Sequence, residues 1–276
     1  MDSLMLRRRS INLNLDAYIN FADPVVAEMC VDAWGDGTGL TRRQAMFITN
    51  AQFGAVFNGT ETGITSFDEL RLFPGLTAIP VNAFKDCIGL TSVILPSSVR
   101  DIGHDAFNGC TSLISINLMQ VENVRYNAFA NCSSLVIELD LPNISGTSGL
   151  AYSTFTSSGI TKIISLGTIQ SMGAYSNFRN CKSLTHVVLP NTLTSMGRQQ
   201  FEGCSNLETV VIYATTPPSV ANQNFRDAGN AKIYVPYSED HSVIASYQSV
   251  WGANAGADQY DVPRLAELDE NGNIPE

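Results

Sequence analysis

Residues that could carry catalytic chemistry are few in this sequence of 276 residues and lie far apart. The three histidines, His104, His186 and His241, each belong to a different part of the chain. The motifs G-x-S-x-G, G-x-x-x-x-G-K-[ST], H-E-x-x-H and G-x-G-x-x-G are all missing from the sequence. We therefore predict that the chain is not an enzyme, that it has no catalytic residues and that it uses no cofactor.

The six cysteines allow two interpretations. An even number is compatible with disulfide bonds, but five of them (Cys87, Cys110, Cys132, Cys181 and Cys204) are separated by 23, 22, 49 and 23 residues. Residues stacked at such a period meet the Cα distance of a disulfide, although parallel side chains hardly reach its dihedral angle of about 90°. Zinc ligands would need short internal spacings, which the sequence lacks. We expect buried, reduced thiols and no metal site.

The cysteines belong to a repeat with a period of about 23 residues. The repeat is marked by a phenylalanine three residues before the cysteine position, which Ser158 and Ala228 occupy in two of the copies. The phenylalanines are Phe84, Phe107, Phe129, Phe155, Phe178, Phe201 and Phe225. A unit this short cannot enclose a core of its own, so the copies must stack on one another.

Each copy contains one stretch of alternating apolar and polar residues, which predicts a short β-strand. In the first of them, Val93 and Leu95 should point inward and Ser92 and Ile94 outward. Pro96, Pro142 and Pro190 should end their strands because proline has no N–H to donate. At the next corner we expect Gly103, Gly173 and Gly197 to adopt positive φ angles.

The pattern F-x-x-C-x-x-L-x-x-V-x-L-P…V-x-x-I-G-x-x-A-F resembles the BspA-like family of leucine-rich repeats, as found in gut Bacteroidetes and phage proteins. The resemblance covers about Leu76 to Pro236. It implies a leucine-rich-repeat solenoid with short parallel β-strands stacked in one sheet, few helices in the repeats and a small α-helical N-terminal cap. Family members are adhesins, surface antigens and other interaction proteins.

Together, the repeat and the resemblance predict four regions. Residues 1–16 form a flexible basic tail with Arg7, Arg8 and Arg9; residues 17–75 form the helical cap; residues 76–236 form about seven repeats; and residues 237–276 form a C-terminal cap with an acidic tail. In the N-terminal cap, Asp23 should begin one helix, Thr41 with Gln44 a second that runs through Ile48, and Ser66 with Glu69 a third.

Relatives often carry a calcium loop in the cap, around the position of Trp34. Here the segment reads WGDGTGLTRRQ, and Arg43 or Gln44 stands where the bidentate glutamate is expected. Because calcium requires six to eight oxygen ligands, several of them charged, we predict a degenerate loop that binds no calcium.

Composition and charge restrict the partners. With 16 Lys and Arg against 26 Asp and Glu, the formal net charge is −10, which argues against binding to nucleic acid. An apolar run of about 18 residues, as a membrane span requires, is not found. The N-terminus lacks the apolar stretch of a secretory signal. By resemblance we expect a surface-exposed protein and, for want of a signal, a virion in preference to a Sec-exported bacterial protein.

The outward face of the predicted sheet is the candidate binding surface. Its two rows combine polar with apolar side chains, as interfaces do. The candidate residues are Lys162, Ile164, His186, Val188, Thr209, Val211 and Tyr234. The alternative is that β-branched residues stand there because they suit strands. We predict a recognition or adhesion protein that binds a protein or glycan, with a phage structural or host-attachment protein as the alternative and homo-oligomerisation possible in either case.

Overall fold

The computed structural model describes residues 14–221, 223–228, 231–253 and 264–275. Of the predicted tail, residues 1–13 with Arg7, Arg8 and Arg9 lie outside these residues, whereas Asp16 forms an ion pair with Arg43 at 2.8 Å. The chain forms a parallel β-solenoid, in which each turn of about 23 residues is here called a rung. The solenoid predicted from the repeat is confirmed. Within the described residues, no helix is both long and apolar enough to cross a membrane.

The strands form two columns along the solenoid. The front column contains β1 Ser66–Phe67, β3 Ser92–Val93, β5 Ser115–Ile116, β7 Glu138–Asp140, β9 Lys162–Ser165, β11 His186–Leu189, β13 Thr209–Ile212, β15 Lys232–Val235 and β16 Arg264–Glu267. The back column contains β2 Ala78–Ile79, β4 Asp101–Ile102, β6 Asn123–Val124, β8 Ser145–Gly146, β10 Thr168–Ile169, β12 Ser195–Met196 and β14 Ser219–Val220. The prediction included the front column and missed the back one.

The front column is divided into two sheets. One has the order β1-β3-β5 and the other β7-β9-β11-β13-β15-β16, all strands being parallel. The division falls where the phenylalanine spacing changes from 22 to 26 residues, between Phe107 and Phe155. Beside it, the side-chain amide of Asn117 accepts from the N–H of Leu95 at 2.7 Å and donates to its carbonyl at 3.0 Å. Because Leu95 follows β3 and Asn117 follows β5, this side chain extends the pairing within the first sheet.

The interior is a ladder of phenylalanine rings. Neighbouring rings from Phe84 to Phe225 have centroids 5.2–5.7 Å apart and planes within 15° of parallel. Phe84 packs against Phe57 of the N-terminal cap at 5.8 Å, and Phe225 against Trp251 of the C-terminal helix at 6.2 Å. Both ends of the ladder are therefore closed by aromatic side chains, and neither is left open to solvent.

The N-terminal cap contains α1 Pro24–Trp34, α2 Arg42–Ala45 and α3 Asn50–Val56. Asp23 caps α1, and the capping box of Thr41 with Gln44 is present. The predicted extension of α2 to Ile48 is wrong, because a second capping box, Thr49 with Gln52, starts α3 there.

The predicted helix start at Ser66 with Glu69 is also wrong. Ser66 pairs with Ser92 in the front column. The 3₁₀ helix that follows, Asp68–Leu72, has no side-chain hydrogen bond at its N-cap, Phe67. Ser66, which the capping pattern predicted at the start of a helix, is therefore part of a β-strand.

The corner glycines act differently from the prediction. Among the three, only Gly173 has a positive φ, of 75°. A Cβ on Gly103 would lie 2.6 Å from the carbonyl oxygen of Ile79, so glycine is needed there because the neighbouring backbone is close. Positive φ angles occur instead at a ladder of polar residues: Asn82, Asp105, Asn127, Ser153, Ser176, Gln199 and Gln223. Asn and Asp tolerate this conformation better than most residues.

At the C-terminal end, α4 Ser242–Ala253 is the predicted closing helix. Its Tyr247 hydroxyl donates to the carbonyl of Ala214 at 2.8 Å, and its Trp251 indole donates to that of Pro218 at 2.9 Å. The predicted acidic tail contains a strand, because β16 pairs with β15 over four residues and is the last strand of the sheet.

Candidate functional site

The two outward rows predicted from the repeat are in register. Thr209 pairs with both His186 and Lys232, and His186 also pairs with Lys162. In the second row, Val211 pairs with Val188 and Tyr234. Ile164 follows Ile163, the partner of Val187, and is the residue that the irregular pairing of β7 with β9 passes over, since Asp140 pairs with Ser165. The seven candidate residues thus belong to four neighbouring strands, β9 to β15.

Exposure divides the second row into two halves. Ile164 is 44% exposed and Val188 is half-buried. Val211 and Tyr234 are each only 7% exposed, so the prediction that they are accessible is wrong. They form a small apolar cluster with Leu268, against which Ala266 of β16 also packs. The C-terminal segment covers the part of the row nearest to it, and Tyr234 cannot serve as an exposed aromatic anchor.

A groove lies beside Ile164 and Val188, the two residues of the second row that the C-terminal segment leaves uncovered. It has a volume of about 460 Å³. Its walls include two of the predicted residues, Ile164 and Val188, together with Tyr213. The remaining lining residues are Ser165, Leu166, Gly167, Pro190 and Asn191. Tyr213 is 44% exposed and immediately follows β13, and its N–H donates to the carbonyl of Leu189 at 3.1 Å.

Sequence reasoning missed Tyr213 and the other loop residues because it followed only the alternation within strands. A signal was available, since an aromatic residue directly after a strand ends up beside the outward row. Aromatic side chains in such places are frequent anchors of interfaces.

The polar row beside the groove is mixed in charge. The Lys162 ammonium forms an ion pair with Glu138 on the preceding rung at 2.7 Å. The His186 Nδ1 lies 2.9 Å from the hydroxyl of Thr185, and the ring is exposed. Thr209 is half-buried between His186 and Lys232. This row therefore offers hydrogen-bonding groups and one partly neutralised lysine next to the apolar groove.

The three histidines are held by separate partners. The His104 ring lies against Tyr126, with centroids 3.7 Å apart, while His241 Nδ1 contacts a Glu267 carboxylate oxygen at 2.5 Å. His186, on β11, has Thr185 as its partner. Across the part of the chain that the structure describes, no group of three or more His, Cys, Asp or Glu side chains could hold a metal ion.

In the calcium-loop-like segment, the carboxylate of Asp36 closes a turn of the backbone. Asp36 Oδ1 accepts from the N–H groups of Thr38 at 2.9 Å and Gly39 at 3.0 Å, and Oδ2 accepts from the Tyr18 hydroxyl at 2.8 Å. These hydrogen bonds, the one from Tyr18 above all, lower the pKa of Asp36. Both oxygens of this carboxylate therefore already accept hydrogen bonds from donors of the protein itself.

All six cysteines, including the five of the repeat, are buried and form no disulfide bond. The thiols of Cys110, Cys132, Cys181 and Cys204 donate to the carbonyl of the phenylalanine on the preceding rung at 3.0–3.1 Å. Burial raises the pKa of Cys132 to about 12 and that of Cys181 to about 11. The cysteine position therefore combines small size with a donor for a carbonyl inside the solenoid.

A stack of parallel rungs with this inward ladder defines a leucine-rich repeat protein, a class whose members typically bind other proteins or mediate adhesion and are not enzymes. The chain belongs to the BspA type: residues 62–176 and 148–246 match the profile described as "BspA type Leucine rich repeat region", in six copies. Proteins with these repeats are often surface-associated. A search of curated proteins found no match to this chain.

Solved structures similar to the chain include three from bacteria, with the following identities and coverages. A leucine-rich repeat protein from Bacteroides ovatus is 21% identical over 59% of this chain and 47% of its own, with a TM-score of 0.44. The T. pallidum leucine-rich repeat protein is 28% identical over 58% and 67%, with a TM-score of 0.38. A leucine-rich cell surface protein from Faecalibacterium prausnitzii is 16% identical over 80% and 85%, with a TM-score of 0.31. This chain spans about half the length of the first.

Proposed function

We propose that the chain is a non-enzymatic recognition protein that binds a partner protein at the groove of Ile164, Val188 and Tyr213. The observation that carries the proposal is the exposure of Ile164 and Tyr213 around a concave surface beside a polar row. An apolar centre with a polar rim is the usual anatomy of a protein interface. The proposal places the chain at a surface, either of a bacterial cell or of a virion.

A protein is favoured over a glycan at this groove because of the side chains that line it. Ile164, Val188, Leu166 and Pro190 are aliphatic, and Tyr213 is the one aromatic residue. An aliphatic pocket fits an apolar side chain of a partner, whereas sugar rings stack on aromatic faces. Val188 pairs with Val211, and the preceding residue, Val187, pairs with Ile163, so the backbone of β11 is held on both sides and little conformational entropy is lost on binding.

The test is a selection of peptides from a random display library on the purified chain. Isothermal titration calorimetry then measures the dissociation constants of the enriched peptides for the wild type and for Ile164→Glu. We expect the dissociation constants for Ile164→Glu to be at least about tenfold higher than those for the wild type, because the glutamate places a charge in the apolar centre of the groove. The matched control is Ile94→Glu, an exposed isoleucine in the same outward row but outside the groove.

Two outcomes would overturn the proposal: a library that yields no binder, or peptides that bind Ile164→Glu as tightly as the wild type. The melting temperature of each variant shows whether the fold is intact. If the partner is a second copy of the chain, light scattering will show a dimer for the wild type and a monomer for Ile164→Glu.

A further inference from the structure

A row of aromatic side chains follows the back column over four successive rungs. It consists of His104, Tyr126, Tyr152 and Tyr175, and we call it the tyrosine row. The centroids of Tyr126 and Tyr152 are 5.2 Å apart with planes within 5° of parallel. Tyr152 and Tyr175 are 6.5 Å apart and perpendicular, at 89°. None of these residues lines the groove described above.

The fold does not require these aromatic side chains. The backbone of the row is held by main-chain hydrogen bonds: the carbonyls of Tyr126, Tyr152 and Tyr175 accept from Asp105, Asn127 and Ser153 at 2.9–3.3 Å. The same position is valine (Val81) one rung before the row and arginine (Arg198) one rung after it. Tyr152 is 44% and Tyr175 49% exposed. The rings of Tyr152 and Tyr175 therefore contribute little to the core.

The polar atoms of the row are available. Among the described residues, none forms a hydrogen bond with the phenol oxygens of Tyr126, Tyr152 and Tyr175. The Nδ1 atom of His104 is buried and has no hydrogen-bond partner there either. The three phenol groups are therefore free to exchange hydrogen bonds with a ligand.

The orientation of the rings decides what the row can offer. The parallel rings of Tyr126 and Tyr152 each cover a face of the other. Tyr175 is perpendicular to Tyr152, and the next rung supplies Arg198 in place of a ring, so at least one face of Tyr175 is left uncovered by the row. The row thus offers one aromatic face followed by phenol hydroxyls that repeat at the spacing of the rungs.

We propose that the tyrosine row binds a linear, neutral polysaccharide laid along the solenoid axis. One sugar ring stacks its C–H face on Tyr175, and the next sugars exchange hydrogen bonds with the phenols of Tyr152 and Tyr126. A sugar unit in an extended chain is about as long as the distance between rungs, so a repeating ligand matches a repeating surface. Tyrosine suits this task because a rigid ring and a hydroxyl share one side chain.

Neutral glycans are favoured by the charges near the row. Arg198 is a single cation at its C-terminal end, and Arg125 is already paired with Asp101. The chain has a net charge of −10, which opposes a polyanion. A protein partner is less suited, because the row is one side chain wide and is flanked by the polar positive-φ residues Asn127, Ser153 and Ser176. A stable protein interface needs about 800 Å² on each side.

The test is native electrophoresis of the folded chain in gels that contain hydroxyethylcellulose, laminarin, xylan, galactomannan or amylose. We expect at least one of these polymers to retard the wild type. Tyr175→Ala should weaken that binding about tenfold or more, because the stacking face is lost. Tyr152→Phe keeps the ring and removes only the hydroxyl, and should weaken it about two- to tenfold. Tyr213→Ala, in the groove, is the matched control and should migrate like the wild type.

The proposal is overturned if no polymer retards the chain, or if Tyr175→Ala is retarded as strongly as the wild type. It is also overturned if Tyr175→Ala weakens the peptides selected on the groove and leaves glycan binding unchanged, since the row would then belong to a protein interface. Failure of the peptide selection leaves this test intact, because the two sites share no residue.

Discussion

The rings of Phe129 and Phe155 have centroids 5.2 Å apart and are parallel within 4°, although 26 residues separate them in the chain. Phe107 and Phe129 are separated by only 22 residues and have the same spacing and the same 4° angle. The additional residues lie outside the ladder, in the segment that contains β7 and β8. The interior keeps its geometry, and the surface accommodates the difference.

Removing one ring from this ladder should be costly. Phe107 is fully buried between Phe84 and Phe129, each with its centroid 5.2 Å away. Phe107→Ala should lower the free energy of unfolding by about 3–5 kcal/mol, because it removes buried apolar surface and leaves a cavity. That is a large part of a total of about 5–15 kcal/mol. Urea denaturation measures the change.

The control for Phe107→Ala is Ile88→Ala, an apolar truncation at an exposed position. Its urea midpoint should stay near that of the wild type. Equal midpoints for Phe107→Ala and the wild type would contradict the inward assignment of the ladder.

Asp23 joins the N-terminal cap to the first rung. Its Oδ1 accepts from the N–H groups of Val25 and Val26, and its Oδ2 accepts from Thr65, through both N–H and hydroxyl, and from the N–H of Ser66. Asp23→Ala should cost about 2–4 kcal/mol of unfolding free energy, because a helix cap is lost and buried donors are left unpaired. Asp16→Ala, which removes an exposed ion pair with Arg43, is the control and should change little.

The same aspartate predicts a dependence on pH. Burial acts to raise the pKa of Asp23, but the hydrogen bonds from Thr65, Val26 and Ser66 outweigh it and hold the pKa below the ordinary value. A carboxyl with a lowered pKa in the folded state stabilises the fold above about pH 4, and that stabilisation is lost as the pH falls through the folded pKa. The stability difference between the wild type and Asp23→Asn should therefore shrink below about pH 4. A difference that stays constant down to pH 2 would contradict this assignment.

The buried thiols should be unreactive in the folded protein. Burial raises the pKa of Cys87 to about 12, so almost no thiolate exists at pH 8. A colorimetric thiol reagent should find no fast-reacting cysteine in the native chain and six in denaturant without reductant. Ser205→Cys, at an exposed position, is the positive control and should react at once. A total below six in denaturant would mean that cysteines of the stack are cross-linked.

The interior could be predicted from the sequence because each rung must satisfy the same packing. Phe84 and Cys87 are three residues apart, and the same spacing recurs in the copies that place a buried ring and a small thiol donor in the interior. The start of α3 was not predicted, although the sequence contains the signal for it: Thr49 with Gln52 forms the same capping box as Thr41 with Gln44.

The surface could be predicted only in part. The outward rows follow from the alternation within strands, but their exposure depends on segments distant in sequence. β16 has no repeat features, and its four residues join the sheet by pairing with Lys232–Val235. Tyr213 escaped notice because it lies one residue beyond the alternating stretch. The tyrosine row was overlooked because its residues occupy corners, where the period of the strands gives no information.

The covered half of the outward row gives the sharpest test of the C-terminal segment. Ile164 and Val211 belong to the same row, but Leu268 packs on Val211. Val211→Glu should lower the unfolding free energy by about 3 kcal/mol, since its carboxyl must be desolvated or protonated, whereas Ile164→Glu should change it little. In a Leu268→Ala background the effect of Val211→Glu should become smaller, because residues in contact are not additive. Urea midpoints of the four chains in this cycle measure the coupling. Strict additivity, or equal costs for the two glutamates, would mean that the C-terminal segment does not cover the row in solution.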